Sequence, residues 1–218
     1  MITCYDAEYK ATKLIRQGKA KLNPHFSELA EWIGSTWGVT VVNIIYDQLA
    51  SPIKQPRLMI VLEHHDEKEK FCDECNFDPV KQQAVANKFA ELVSRKSLHA
   101  YGVVDLLVVF SAFSPVAKQE ANCLITDADI LNLLKRISDP NLWTIHRCFG
   151  RVVFMFFTDQ QMRSCKRILL RSYEDQYFDL LQRYDEFQYL DRDGFSLEFD
   201  SKENFDRNYK GVWFLYDR

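Results

Sequence analysis

The chain has 218 residues, of which 47% are hydrophobic and 27% charged, with a formal net charge of -3 and a pI near 6.0. A chain of this length buries about 70% of the surface that its unfolded form exposes, so it should fold without disulfides. The near balance of 28 basic and 31 acidic residues lacks the excess of cations that neutralises phosphates in nucleic-acid-binding proteins. We therefore do not expect nucleic acid as the partner.

The sequence also predicts a cytoplasmic protein with no membrane contact. The residues from Met1 to Tyr9 contain neither a positive leader nor a continuous apolar segment. The longest apolar run, Val152 to Phe157, is far short of the roughly 18 residues that cross a bilayer. Most of the six cysteines are scattered singly, which favours buried thiols in a reducing compartment over disulfides.

Apolar spacing predicts three helices and three strands in the first half of the chain. Asn23 and Pro24 supply a cap and a first-turn proline for the second helix, and Gly38 ends it. Residues rich in β-branched side chains predict the strands. In chain order the predicted elements are a lead helix at 6–17, a helix at 24–37, strands at 39–46 and 57–63, a helix at 78–96 and a strand at 103–110. A charged stretch at 64–76 separates the hairpin from the third helix.

The second half repeats this order of elements. The run at 151–157 is rich in Val and Phe without alternating polar residues, which is typical of a strand covered on both faces in the middle of a sheet. In chain order we predict a short helix at 116–124, a helix at 127–138 capped by Thr126, strands at 142–147 and 151–157, a long helical pattern from Thr158, and strands at 195–199 and 212–216.

These elements predict an α+β fold with a mainly antiparallel sheet built from ββ hairpins and with helices packed on it. The halves, 1–114 and 115–218, both show the order αββαβ, with a terminal strand added to the second and a joint at 115–122. They share no residue-level identity. Duplication of one unit is therefore a hypothesis, and convergence on a common arrangement is its alternative.

Charges along the long helical pattern predict a bend within it. Arg163, Lys166, Arg167 and Arg171 come first and the acids follow, which opposes the helix macrodipole. Thr158 with Gln161, and Ser172 with Asp175, both resemble capping boxes. One apolar phase continues across Ser172, so we expect a bend there and no separation.

A segment from Tyr173 to Asp191 combines aromatic residues with acids and is the candidate partner-binding face. Aromatic residues concentrate at the centres of protein interfaces. The alternative is that these aromatic rings pack in the core and extend their polar tips to solvent. The residues that we assign to partner binding are Glu174, Asp175, Tyr177, Asp179 and Tyr184.

Two histidines and two cysteines form a candidate zinc site. His64, His65, Cys72 and Cys75 are ligand types that tetrahedral zinc takes, and a C-x-x-C spacing places two sulfurs on one ion. Adjacent histidines on a strand point to opposite faces, which opposes convergence on one metal. The alternative is a solvated strand end and loop with two incidental cysteines.

Hydrolysis is the third functional hypothesis. Asp47 and Asp105 lie in or beside apolar strands and, with Glu63, Asp127 and Asp129, are candidates for a carboxylate pair, although such acids commonly serve as caps. The chain has neither a G-x-S-x-G elbow nor a phosphate-binding glycine loop. Enzymatic activity stays an open question. Our leading hypothesis is a non-enzymatic cytosolic protein that binds another protein, as an inhibitor, an immunity-type protein or a regulatory partner.

Overall fold

A computed structural model describes residues 2–49, 54–74, 76–148, 150–165 and 167–218. Its internal contacts divide the chain into unit 1, residues 1–116, and unit 2, residues 117–218. We had placed the division at 114/115, with a joint at 115–122. A continuous helix, Phe113–Leu124, covers these positions. Each unit has its own sheet and its own hydrophobic core.

Unit 1 is a three-stranded sheet with helices on both faces. Asn23 caps the turn that leads into α2 by accepting from the His25 N–H, and Gly38 ends α2 in the left-handed conformation at φ 61°. The Asp78 carboxylate caps α4. In chain order the elements are α1 (Ala7–Arg16), α2 (Ser27–Trp37), β1 (Val41–Gln48), β2 (Pro56–Leu62), α3 (His65–Glu69), β3 (Cys72–Asp73), β4 (Asn76–Phe77), α4 (Pro79–Arg95), β5 (Leu107–Ala112) and α5 (Phe113–Leu124).

The central strand of this sheet is β2, which pairs antiparallel with β1 and parallel with β5. Its alternate residues Leu58, Ile60 and Leu62 lie in one core with the apolar faces of α2 and α4. Met59 and Val61 are also buried, and α1 packs on β1. A strand covered on both faces accounts for the continuous apolar run in β2.

Unit 2 has the same strand arrangement. The sheet order is β6-β7-β8, with β6 antiparallel and β8 parallel to the central β7. Phe154 and Phe156 lie in the core with α6 and α8, whereas Val153 and Met155 pack with Phe205 of α9. In chain order the elements are α6 (Asp127–Ile137), β6 (Leu142–Cys148), β7 (Arg151–Phe156), α7 (Asp159–Ser164), α8 (Arg167–Gln182), β8 (Glu198–Ser201), α9 (Lys202–Tyr209) and α10 (Trp213–Tyr216).

The α+β class is confirmed, and three of the five described strand pairs are antiparallel. Both three-stranded sheets have an antiparallel hairpin followed by a parallel third strand. The first strand of each has a register shift near its start, between Val41 and Asn43 and between Leu142 and Thr144. This similarity does not establish a duplication, which stays a hypothesis. No helix in the described ranges has the length and apolarity that a bilayer crossing requires.

The helix continues through Ser172 without a separation, as predicted, and the bend there stays a prediction. The sequence did not indicate the interruption at Cys165, where the chain leaves the helical conformation with φ -66° and ψ 123°. Thr158 and Gln161 do form the predicted capping box at the start of α7. The first residue of α8, Arg167, is basic, which the helix dipole disfavours. We infer that packing of the apolar face of α8 outweighs the dipole in setting where the helix begins.

Three other elements differ from the predictions. The strand expected at 212–216 is the short helix α10, because Trp213 and Tyr216, three residues apart, both pack against Phe205. The strand expected at 103–110 begins only at Leu107, after Asp105 turns the chain at φ 53°. The strand expected at 195–199 is shifted to β8. The charged stretch at 64–76 contains α3 and the β3–β4 pair, which the sequence did not indicate.

Candidate functional site

The tyrosines of α8 point into unit 2. Tyr173 donates its hydroxyl hydrogen to the Asp139 carboxylate, and Tyr177 donates to the Asn122 side-chain oxygen at 2.6 Å. Burial is the main cause that raises the pKa of each of these two phenols. These hydroxyls are therefore structural hydrogen-bond donors inside the unit.

The same holds for Tyr184, which the sequence had assigned to partner binding together with Tyr177. The Tyr184 hydroxyl donates to Asp129 Oδ2 at 2.7 Å, and this hydrogen bond raises the pKa of the phenol. Tyr177 is 0% exposed and Tyr184 is half-buried. These tyrosine rings therefore pack in the core of unit 2, as expected if the aromatic residues of the segment serve packing.

Two acids of α8, Asp175 and Asp179, lie on the side of the helix opposite the tyrosines, and Glu174 lies on its flank. Asp175 and Asp179, one helical turn apart, are exposed, and Glu174 is partly exposed. Across the residues that the structure describes, Glu174 and Asp179 have no hydrogen bond or ion pair. Asp175 forms an ion pair with Arg192, whose guanidinium lies 5.0 Å from the centre of the Phe178 ring. Two of the three carboxylates are therefore available to a partner.

The candidate metal ligands are not brought together by the described structure. His64 donates its backbone N–H to Glu67 Oε2 at 2.9 Å at the start of α3, and the exposed His65 ring lies 3.7 Å from Glu69. Cys72 Sγ lies 3.7 Å from the Lys68 carbonyl oxygen. Cys75 is outside the described residues. Within those residues no group of three His, Cys, Asp or Glu side chains is arranged to hold a metal ion.

The candidate carboxylates have structural partners or lie in solvent. Asp47 forms an ion pair with Arg57, which also reaches Glu8 at 3.1 Å. Glu63 accepts from Arg16 at 2.9 Å. Asp105 is exposed at the rim of an open groove of about 740 Å³ beside β5. These contacts hold elements together and do not pair two acids across a cleft.

The remaining two candidate acids lie at the start of α6. The side chain of Asp129 accepts from the Thr126 hydroxyl and from the Thr126 N–H, and these hydrogen bonds cap the helix and lower the pKa of Asp129. Asp127 is fully exposed. Capping at this position follows from the sequence pattern T-x-x-D. Neither acid has an arrangement that would support hydrolysis.

Two features of unit 2 were not predicted from the sequence. His146 lies 2.8 Å from Asp217 and stacks on Trp213 at a ring separation of 3.8 Å, contacts that no local sequence motif indicates. A second groove, of about 440 Å³, opens between the start of β6 and the junction of α7 with α8. Its polar and apolar lining comes from separate stretches of chain, so no local motif could have indicated it. The residues that line it are Asp139, Asn141, Phe156, Thr158, Gln160, Gln161, Ser164, Cys165 and Leu169.

Comparison of the chain with protein-family models, with curated proteins and with solved structures finds no match.

Proposed function

We propose that the protein is a non-enzymatic binding protein, an inhibitor, immunity-type protein or regulatory partner, which recognises another protein through the acidic outer side of α8. The binding surface consists of Glu174, Asp175 and Asp179. The single observation that carries the proposal is the division of α8 into tyrosines bonded inward and carboxylates facing outward.

The inward hydrogen bonds make this surface rigid. Tyr173 and Tyr177 tie α8 to Asp139 and Asn122, and Tyr184, in the turn after α8, bonds to Asp129. A helix held in this way presents its outer carboxylates in a fixed arrangement, so binding costs little conformational entropy. Rigid presentation suits recognition of a partner with matching charges.

The expected partner has a basic surface. Between Tyr173 and Asp191 the chain contains six acids and one basic residue, Arg183. Opposite charges on two surfaces accelerate association and select the partner, and salt weakens their attraction when the charges are exposed. Partner binding through α8 should therefore weaken as ionic strength rises.

Charge reversal on α8 tests the proposal. We expect Glu174→Lys and Asp179→Lys each to weaken partner binding at least about tenfold, because a repulsion replaces an attraction. The partner would be recovered from native lysate with the wild-type protein and identified by mass spectrometry, and its affinity would be measured at low and high salt. The matched control is Glu31→Lys, which makes the same charge change at an exposed position of α2. Equal affinities for all four proteins would overturn the proposal.

Zinc binding by His64, His65, Cys72 and Cys75 is a second hypothesis that no observation here favours over the first. Elemental analysis of untagged protein decides it. Stoichiometric zinc that is lost in Cys72→Ser would support it, and metal-free protein with the wild-type melting temperature would remove it.

A further inference from the structure

The position in unit 1 that corresponds to the groove of about 440 Å³ in unit 2 is occupied by a side chain, that of Phe71. Phe157 donates its N–H to the Asn141 oxygen at 3.0 Å, and Glu63 donates to the Thr40 oxygen at 2.9 Å, so both sheets continue their hairpin in the same way. Four residues beyond Phe157 and Glu63, the side chains of Gln161 and Glu67 accept from the N–H groups of Thr158 and His64, each at 2.9 Å. The chain therefore follows equivalent paths in the two units here.

This equivalence assigns Cys165 to the place of Phe71. Phe71 donates its N–H to the Lys68 oxygen at 2.9 Å as α3 ends, and Cys165 donates to the Met162 oxygen at 3.2 Å as α7 ends. Both residues lie eight positions beyond the last residue of the preceding hairpin pair, Glu63 and Phe157. A thiol in unit 2 thus replaces a benzyl side chain in unit 1.

The Phe71 ring is part of the unit 1 core. It is 0% exposed, stacks on Phe110 with ring centres 4.2 Å apart, and meets the edge of Trp37 at 5.1 Å. Cys165 is much smaller and is only partly buried. The groove opens beside this smaller side chain, because the volume that a ring occupies in unit 1 is left unfilled in unit 2.

We propose that this groove binds a ligand with a six-membered aromatic ring that carries one hydrogen-bonding substituent, as in a phenol. Leu169, which is 46% exposed, provides apolar contact for the ring beside the partly buried Cys165, and Phe156 lies in the core beneath the groove. Gln160 and Ser164 are exposed at the rim and, among the described residues, have no hydrogen-bond partner, so they are available to the substituent. The volume lies within the range of about 300–1,000 Å³ typical of small-molecule sites.

Asp139 and Cys165 are the ionisable groups in the described part of the groove lining. Asp139 already accepts hydrogen bonds on both oxygens, from Asn141 on Oδ1 and from the Tyr173 hydroxyl on Oδ2. Burial, with a smaller contribution from Asp139, raises the pKa of the Cys165 thiol, which keeps it protonated at neutral pH. Both oxygens of Asp139 are therefore engaged within the protein, and the substituent of the ligand is left to Gln160 and Ser164.

Filling the groove tests this inference. p-Cresol and the peptide Gly-Tyr-Gly carry the same ring, one as a free molecule and one as a side chain, and would be titrated into the full-length protein by calorimetry and ligand-observed NMR. We expect at least one of them to bind wild-type protein and Cys165→Ala, and to bind Cys165→Phe at least about tenfold more weakly. Binding of the peptide alone would identify a protein side chain as the source of the ring.

A second measurement keeps the test decisive if Cys165→Phe fails to fold. Wild-type protein would be alkylated with N-ethylmaleimide at mildly alkaline pH, with and without a saturating concentration of the ligand that binds. Protection of Cys165, with no change at the exposed Cys123, supports the groove as the site. Failure of both ring compounds to bind, unchanged binding to a folded Cys165→Phe, or unprotected Cys165 would each overturn the inference. None of these results depends on the α8 surface.

Discussion

At the scale of single residues, Asp159 connects three elements of unit 2. Its carboxylate accepts from the Ser201 hydroxyl at the end of β8 and from Arg207 of α9 at 3.0 Å. Arg163 lies 3.5 Å away on α7 itself. The hydrogen bond from Ser201 and that from Arg207 lower the pKa of Asp159 below its ordinary value of 3.8. The ionised form of this residue is therefore favoured in the folded state.

This lowered pKa predicts a pH-dependent effect of Arg207→Gln. Because the folded state favours ionised Asp159, the contribution of Asp159 to stability is present above its unfolded pKa of about 3.8 and is lost as pH falls through the lower folded value. Arg207→Gln should thus destabilise the protein near neutral pH, with a difference from wild type that shrinks between about pH 5 and about pH 2. Urea unfolding at a series of pH values measures this.

The control for this experiment is Lys118→Gln, which removes an exposed positive charge from α5. Its effect on the free energy of unfolding should be small and should not follow the titration of Asp159. A difference between Arg207→Gln and wild type that stays constant down to about pH 2 would contradict the assignment.

Caps were predictable at this scale, whereas the Asp159 cluster was not. Asp78, Thr126 and Thr158 accept from backbone N–H groups two or three residues ahead, so the sequence contains both partners of each bond within one turn. Asp159 and Ser201 are 42 residues apart, and only the parallel pairing of β7 with β8 brings them together. A separation of 55 residues likewise kept the contact of Tyr184 with Asp129 from being predicted.

At the scale of elements, the exposed fraction of the side chains rises abruptly at the end of β7. The residues from Val152 to Phe156 are all buried, because α6 and α8 cover one face of the strand and α9 and α10 the other. Phe157 follows directly and is 44% exposed. The sequence predicted a buried run that included Phe157, since the apolar pattern does not mark where the covering helices stop.

Phe156 and Phe157 allow the same substitution to be compared at a buried and at an exposed position. Phe156→Ala should cost about 3–5 kcal/mol of unfolding free energy, because it leaves a cavity in the unit 2 core. Phe157→Ala should cost less, about 1 kcal/mol, because 44% of Phe157 is already exposed and its backbone hydrogen bonds are kept. Urea or thermal unfolding measures both. Similar losses for the two variants would show that the strand is not covered as described.

At the scale of the whole molecule, the two units share a strand order but have separate cores. In each, the strand between the two others is the continuous apolar one, β2 or β7, and its neighbours are an antiparallel and a parallel strand. The sequence predicted the order of elements and both hairpins. It did not predict that the third strand of each sheet is parallel to the central one, because that pairing depends on contacts across more than 40 residues.

Hydrogen exchange should reflect this arrangement. The amides of β2 and β7 are expected to exchange most slowly within their units, because central strands open only when the core of the unit unfolds. Amides of the two-stranded β3–β4 pair should exchange much faster, since a short isolated pair has little stability of its own. Mass spectrometry of deuterated peptides measures the order. Faster exchange in β7 than in β8 would contradict the described sheet.

The inward tyrosines of α8 also limit how the protein can be regulated. A phosphoryl group on the oxygen of Tyr173 or Tyr184 would remove a donor and place a dianion against the carboxylate of Asp139 or Asp129. On Tyr177 it would force that charge into the interior. A tyrosine kinase could therefore phosphorylate Tyr173 or Tyr177 only while α8 is detached from the rest of unit 2. Phosphorylation would then keep α8 from packing back on the unit.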